Sequence, residues 1–144
     1  MAAQDEEIPA DLQRLIDQFI AFCYDEARLL DRINLRQTRL TVRKGTIVLQ
    51  LPYMDRNRQK LRLHVTRKQD RWCFSDAGKT LDGCKRSVYQ TYLRHVVQWY
   101  GVQVNKGVMA LETPAAGFAG RLYTFIRVLR TLDHLVQSHA TEAA

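Results

Sequence analysis

Ten basic side chains and one acidic side chain fall within residues 36–68, a local charge of +9. Residues 1–35 carry −5 and residues 69–144 carry +3, which together make the net +7 of the 144-residue chain. A concentrated block of cations attracts polyanions, either nucleic acid or an acidic protein surface. Within and beside the block, Arg39, Arg43, Lys60, Arg62 and Arg71 alternate with apolar residues. Arg56, Arg58 and Arg67 lie in or next to polar turns. The candidate anion-binding set is therefore Arg39, Arg43, Arg56, Arg58, Lys60, Arg62, Arg67 and Arg71. The competing reading is a solvated sheet face whose charges keep strand edges from aggregating.

Other chemistries find less support. Gly78-Lys79-Thr80 has the ending of a phosphate-binding loop, but such a loop needs a glycine five positions before Gly78, and Cys73 stands there. A metal-dependent nuclease needs converging acids beside a lysine, yet Asp55 is the only acid between Gln37 and Gln69. Asp70, Asp76 and Asp82 read as solvated turn acids, with Asp76 able to cap its own turn. His64, His95, His134 and His139 have no metal-ligand spacing to a cysteine or acid. Strand parity puts Cys73 and His64 on one sheet face, but a nucleophilic pair also needs an orienting third group. No catalytic residue, metal or cofactor is expected, and the reading leans away from an enzyme.

The elements that position the basic block follow from periodicity. Leu12, Leu15, Ile16, Phe19, Phe22, Cys23, Ala27 and Leu30 recur at helical spacing, predicting a helix from Pro9 to about Asp31. After Asn34 the period becomes two. Leu40 and Val42, then Ile47, Leu49 and Leu51, then Leu61, Leu63 and Val65, then Trp72 and Phe74 mark four strands. Lys44-Gly45, Asp55 to Arg58 and Lys68-Gln69-Asp70 supply the turns, and Pro52 is expected to close the second strand. With Leu40, Ile47, Leu61 and Trp72 facing a core, parity places Arg39, Arg43, Lys60, Arg62, His64 and Arg71 on the opposite face. That face has no aromatic residue for base stacking.

A second helix is predicted from Cys84 or Lys85 to Tyr100, with Val88, Tyr92, Val96 and Tyr100 on its apolar side and Gly101 as its stop. Val102 to Val104 and Val108 to Leu111 flank Asn105-Lys106-Gly107 and read as a hairpin. Thr113 as N-cap and Pro114 at the first position would start a third helix, running to about Ser138. The fold class is α+β, an antiparallel sheet of a four-stranded meander plus a hairpin, with three helices. Residues 1–9 read as a flexible acidic N-terminus, 10–138 as one domain and 139–144 as a frayed tail.

The segment Leu51 to Leu81, and above all Ser75-Asp76-Ala77-Gly78-Lys79-Thr80-Leu81, resembles the domain of unknown function 1828 family of bacteria and their phages. The order helix, Tyr100-Gly101-Val102, hairpin and terminal helix is similar too. In that family a second aspartate is common where Ala77 stands, which weakens any acidic site here. The resemblance implies no activity. It implies a phage or mobile-element setting, in which a protein-directed inhibitor or adaptor acting on an acidic partner surface is the alternative to nucleic-acid binding.

With 46% apolar residues the chain has the composition of a folding domain, and no apolar run is long enough to span a bilayer. The acidic start Asp5-Glu6-Glu7 does not resemble a secretory signal, so a cytoplasmic location and no membrane partner are expected. The function expected is a non-enzymatic module that engages nucleic acid, or a protein bound to it, through the basic sheet face. Three cysteines, Cys23, Cys73 and Cys84, are an odd number without redox spacing, so reduced thiols are expected. Thiol titration of the unfolded, unreduced protein should return three free thiols; a single thiol would mean a disulfide.

Overall fold

The structure is a computed structural model that describes residues 8–25, 34–82, 84 and 86–143. Its first helix, α1, spans Ala10–Asp25 and buries Leu12, Ile16, Phe19 and Cys23 along one side. The carbonyl of Pro9 accepts the first helical bond from the Gln13 N–H at 3.1 Å. The predicted continuation of this helix to Asp31 lies outside the described residues, as do residues 1–7 of the expected flexible N-terminus. A single 3-10 turn, Leu35–Gln37, leads into the sheet, and Asn34 caps it by accepting the Arg36 N–H.

Six strands form one antiparallel sheet. They are β1 (Arg39–Arg43), β2 (Thr46–Met54), β3 (Lys60–Lys68), β4 (Arg71–Ser75), β5 (Gln103–Asn105) and β6 (Val108–Pro114). Their order across the sheet is β1-β2-β3-β4-β6-β5, so the four-stranded meander is extended by the second hairpin. Two of the hairpins close with consecutive left-handed residues, Lys44-Gly45 (φ 53° and 77°) and Lys106-Gly107 (φ 52° and 80°). Two-residue turns of this hand match the right-handed twist of the strands they join.

Register fixes the faces. Leu40 pairs with Leu49, Leu49 with Leu63, Val65 with Phe74, and Phe74 with Leu111. This face is covered by helices and joins one continuous core with Leu122, Phe125 and Leu129. Phe74 sits at its middle, edge-on to Phe118 with ring centroids 5.1 Å apart.

The other two helices are α2 (Arg86–Tyr100) and α3 (Phe118–Ala143), the latter packed against α1, α2 and β6. Gly101 has φ +71° where α2 stops, and a side chain there would press on the Arg121 guanidinium.

Four local expectations are corrected. Pro52 does not end its strand: β2 runs to Met54, because a bulge between Gln50 and Met54 interrupts the ladder where proline has no N–H to offer. Thr113 and Pro114 belong to β6, opposite Trp72 and Arg71, and α3 begins only after the left-handed Gly117. Pairing with β4 outweighs the local helix-start signal. α3 runs to Ala143, where its end was expected at about Ser138. On α2 the buried side is built on Tyr89 and Val96, while Tyr100 is 48% exposed.

All three cysteines are free, with Cys23 and Cys73 buried. Burial pushes the Cys23 thiol up from 9.0 to about 11. Desolvation also raises Cys73, Cys84 and Tyr92. In each case the folded pKa lies above the unfolded one, so the unfolded chain sheds its protons first as pH rises. The resulting stability is complete below pH 9.0 and drains away as pH climbs toward about 11. Urea melts should show that loss above pH 9, and Cys23→Ala should lessen it. A flat profile in the parent would contradict the burial described.

Candidate functional site

The face of the sheet opposite the helices is open to solvent among the described residues. Three rows of side chains cross it. Arg39, Gln50 and Arg62 form one row, through the pairs Arg39↔Gln50 and Gln50↔Arg62. The middle row is uncharged or weakly basic: Thr41, Val48, His64, Ser75 and Ala110. The far end holds Arg43 beside Thr46, and Lys68 beside Arg71. Arg39 and Arg43 are four residues apart on one strand, roughly 13 Å.

The cations of this face differ in how free they are. Lys68 and Arg71 share the carboxylate of Glu112, at 3.2 Å and 3.9 Å. Arg62 is oriented by Gln50, whose Oε1 accepts its Nε–H at 3.0 Å. Among the described residues Arg39, Arg43, Lys60 and Arg62 have no acidic partner. Each is exposed. These four are the available part of the candidate set.

Two members of the set are placed elsewhere. Arg67 follows the inward parity of β3, stacks over the Trp72 ring with its guanidinium 4.6 Å from the centroid, and pairs with Asp11 of α1. Arg56 is consumed by the fold. Its backbone N–H donates to Asp133 Oδ2 at 2.9 Å, and its Nη1 donates to Asp133 Oδ1 at 2.5 Å and to the Thr80 carbonyl at 2.8 Å. Its Nη2 donates to the Asp82 carbonyl at 3.0 Å. One guanidinium thereby joins the β2–β3 turn, the segment after β4 and α3. Arg58, by contrast, is exposed at φ +61° on the tip of that turn.

The turn after β4 is not a phosphate loop. Asp76 is 1% exposed, not solvated as expected. Its Oδ1 accepts the N–H groups of Gly78 at 2.8 Å and Met109 at 2.9 Å, and its Oδ2 accepts that of Thr80 at 3.2 Å. The amides that a phosphate would need are already bound. The carboxylate instead ties the turn to β6, a contact between residues far apart in sequence that Asp76 alone does not reveal.

His64 and Cys73 share the open face, as parity implies, but Cys73 Sγ donates to the Phe74 carbonyl and not to His64. His95 is exposed. Among the described residues no group of three His, Cys, Asp or Glu side chains is arranged to hold a metal ion. No helix of the described residues is long and apolar enough to cross a membrane. Reading the sequence missed Gln50 as the group that orients Arg62, since only strand register makes them neighbours.

Breaking a largely buried ion pair by removing one partner costs about 3–5 kcal/mol, because the other charge is stranded. Arg56→Ala should therefore destabilise the protein by about 3 kcal/mol in urea unfolding, and Arg58→Ala by less than about 0.5 kcal/mol. Equal effects would contradict the clamp.

No family model matches the chain, and neither the curated proteins nor the solved structures contain a similar one. The open face and its four free cations are what a functional reading has to explain.

Proposed function

We propose that this chain is a non-enzymatic binding module that engages nucleic acid through the open face of its sheet. The observation that carries the reading is the exposed set Arg39, Arg43, Lys60 and Arg62, which has no acidic partner among the described residues. Exposed cations on a rigid sheet neutralise phosphates and release condensed counterions, which favours association without sequence readout. Among the described residues the open face carries no Phe, Tyr or Trp, which fits tracking of the backbone better than stacking of successive bases.

A second reading, a protein-directed adaptor, draws on a different surface. Val97, Trp99 and Tyr100 on α2 are 48%, 70% and 48% exposed. Large apolar side chains left in solvent near the end of one helix are a feature of protein-contact surfaces.

The test compares two triple variants with equal charge. Arg39→Glu, Arg43→Glu and Arg62→Glu change the open face. Arg14→Glu, Arg94→Glu and Lys106→Glu change exposed positions elsewhere. Each set lowers the net charge from +7 by six, to +1. Fluorescence anisotropy with generic duplex DNA should show more than tenfold weaker binding for the first set and a much smaller change for the second. Four phosphate contacts imply a slope of log K against log salt of about −3.6 for the parent. Equal losses in both sets, or no binding by the parent at low salt, would overturn the proposal in favour of the protein-directed reading.

A further inference from the structure

At the Lys60 end of the sheet a cleft is lined by β2, β3, the turn after β4 and α3. Between the pairs Gln50↔Arg62 and Met54↔Lys60, β2 advances four residues while β3 advances two. Beside this bulge lies a cleft whose apolar lining is Tyr53, Met54, Leu61 and Leu129. Lys60 and Arg62 line it from the open face, Lys79 from the turn after β4, and Arg130 from α3.

Three acids also line the cleft, and each is engaged by the protein's own donors. Asp55 Oδ1 accepts the N–H groups of Asn57 and Gln59 at 2.8 and 2.9 Å. Asp76 binds three backbone N–H groups, and both oxygens of Asp133 are bound by Arg56. The cations are less committed. Lys60 and Lys79 are exposed and have no acidic partner among the described residues, and Arg62 is bound only to the neutral Gln50. With Asp133 paired to Arg56, the four cations of the lining outnumber its two other carboxylates, which favours an anion. The lining also offers surface for a flat group. Met54 is 56% exposed, and the Arg130 guanidinium lies 4.6 Å from the centre of the Tyr53 ring. Guanidinium planes and thioethers both receive aromatic faces.

We infer that this cleft is a nucleotide site: it takes one unpaired nucleoside phosphate, with the base against Met54, Leu61 and Arg130 and the phosphate at Lys60 and Lys79. The inference rests on the nucleic-acid reading of the open face and deepens it. A strand tracked across the sheet by Arg43, Arg39 and Arg62 reaches the cleft at its end, because Lys60 and Arg62 belong to both. A duplex keeps its bases stacked and paired, so only a single strand or a strand end can fill the cleft. The same chemistry is presented by a free mononucleotide.

The experiment uses the full chain with three probes: a short oligothymidylate, a duplex of equal length, and thymidine monophosphate. The parent should bind the single strand more tightly than the duplex. Lys79→Ala removes an exposed side chain that belongs to the cleft and not to the open face, while its backbone N–H still bonds to the Asp76 carbonyl. It should weaken single-strand binding about tenfold, the worth of one stacked and charge-paired nucleotide, and duplex binding by less than about twofold. Arg39→Ala with Arg43→Ala should weaken both polynucleotides. If Lys79→Ala leaves single-strand binding intact, or weakens both probes alike, the cleft is not a nucleotide site, although the open-face reading stands. If neither polynucleotide binds, that reading fails. Thymidine monophosphate then decides the cleft: saturable shifts of the Leu61 and Leu129 methyl resonances, absent in Lys79→Ala, would establish a free-nucleotide site, and their absence would overturn it.

Discussion

Leu49 pairs with Leu63 across β2 and β3, Phe74 of β4 pairs with Val65 of β3 and with Leu111 of β6, and all five are buried. Helices cover this face of the sheet and not the other. Because successive strand residues point to opposite faces, burial of the leucines commits every alternate residue to solvent. A slip of one residue in any pairing would bury arginines and expose leucines, so the register is strongly held. The turns at Lys44-Gly45 and Lys106-Gly107 fix the same register locally. The concentration of charge on the open face is thus a consequence of how the core is made.

Two charged residues hold the ends of this arrangement together from inside. Asp76 accepts three backbone N–H groups where β4 turns away, one of them from Met109 on β6. Arg56 binds Asp133 on α3 and two carbonyls of the segment that follows β4. A buried charge is tolerated when hydrogen bonds replace the water it has lost, and both side chains meet that condition. Their titratable groups serve structure, which removes the most plausible acid and one of the arginines from any functional account. Lys60 and Lys79 nearby have no acidic partner among the described residues.

On the proposed reading, the open face and the cleft would divide recognition between them. A flat array of Arg39, Arg43 and Arg62 suits a repeating phosphate backbone and reads no sequence. The cleft beside the β2 bulge is partly apolar, a lining that would suit a group able to leave a stack. The bulge adjoins both, since Met54 and Lys60, the pair at which the β2–β3 ladder resumes, also line the cleft.

Much of this was legible from the sequence, because its signals are local. The period-two alternation of Leu40 to Phe74 specified four strands, their inward residues and the side on which Arg39, Arg43, Lys60, Arg62 and Arg71 stand. Lys44-Gly45, Gly101 and Lys106-Gly107 marked turns through backbone geometry that few residues other than glycine adopt readily. What remained hidden depends on partners distant in the chain. That β6 docks on β4, and so draws Thr113 and Pro114 into a strand, follows from pairing that overrides a helix-start signal. That Arg56 is a clamp and Arg67 a lid on Trp72, while Arg39 and Arg43 stay free, depends on where Asp133 and Asp11 arrive. Composition could count the charges, but only the tertiary structure could decide which of them were already neutralised, because an ion pair is set by distance in space and not by position in the chain.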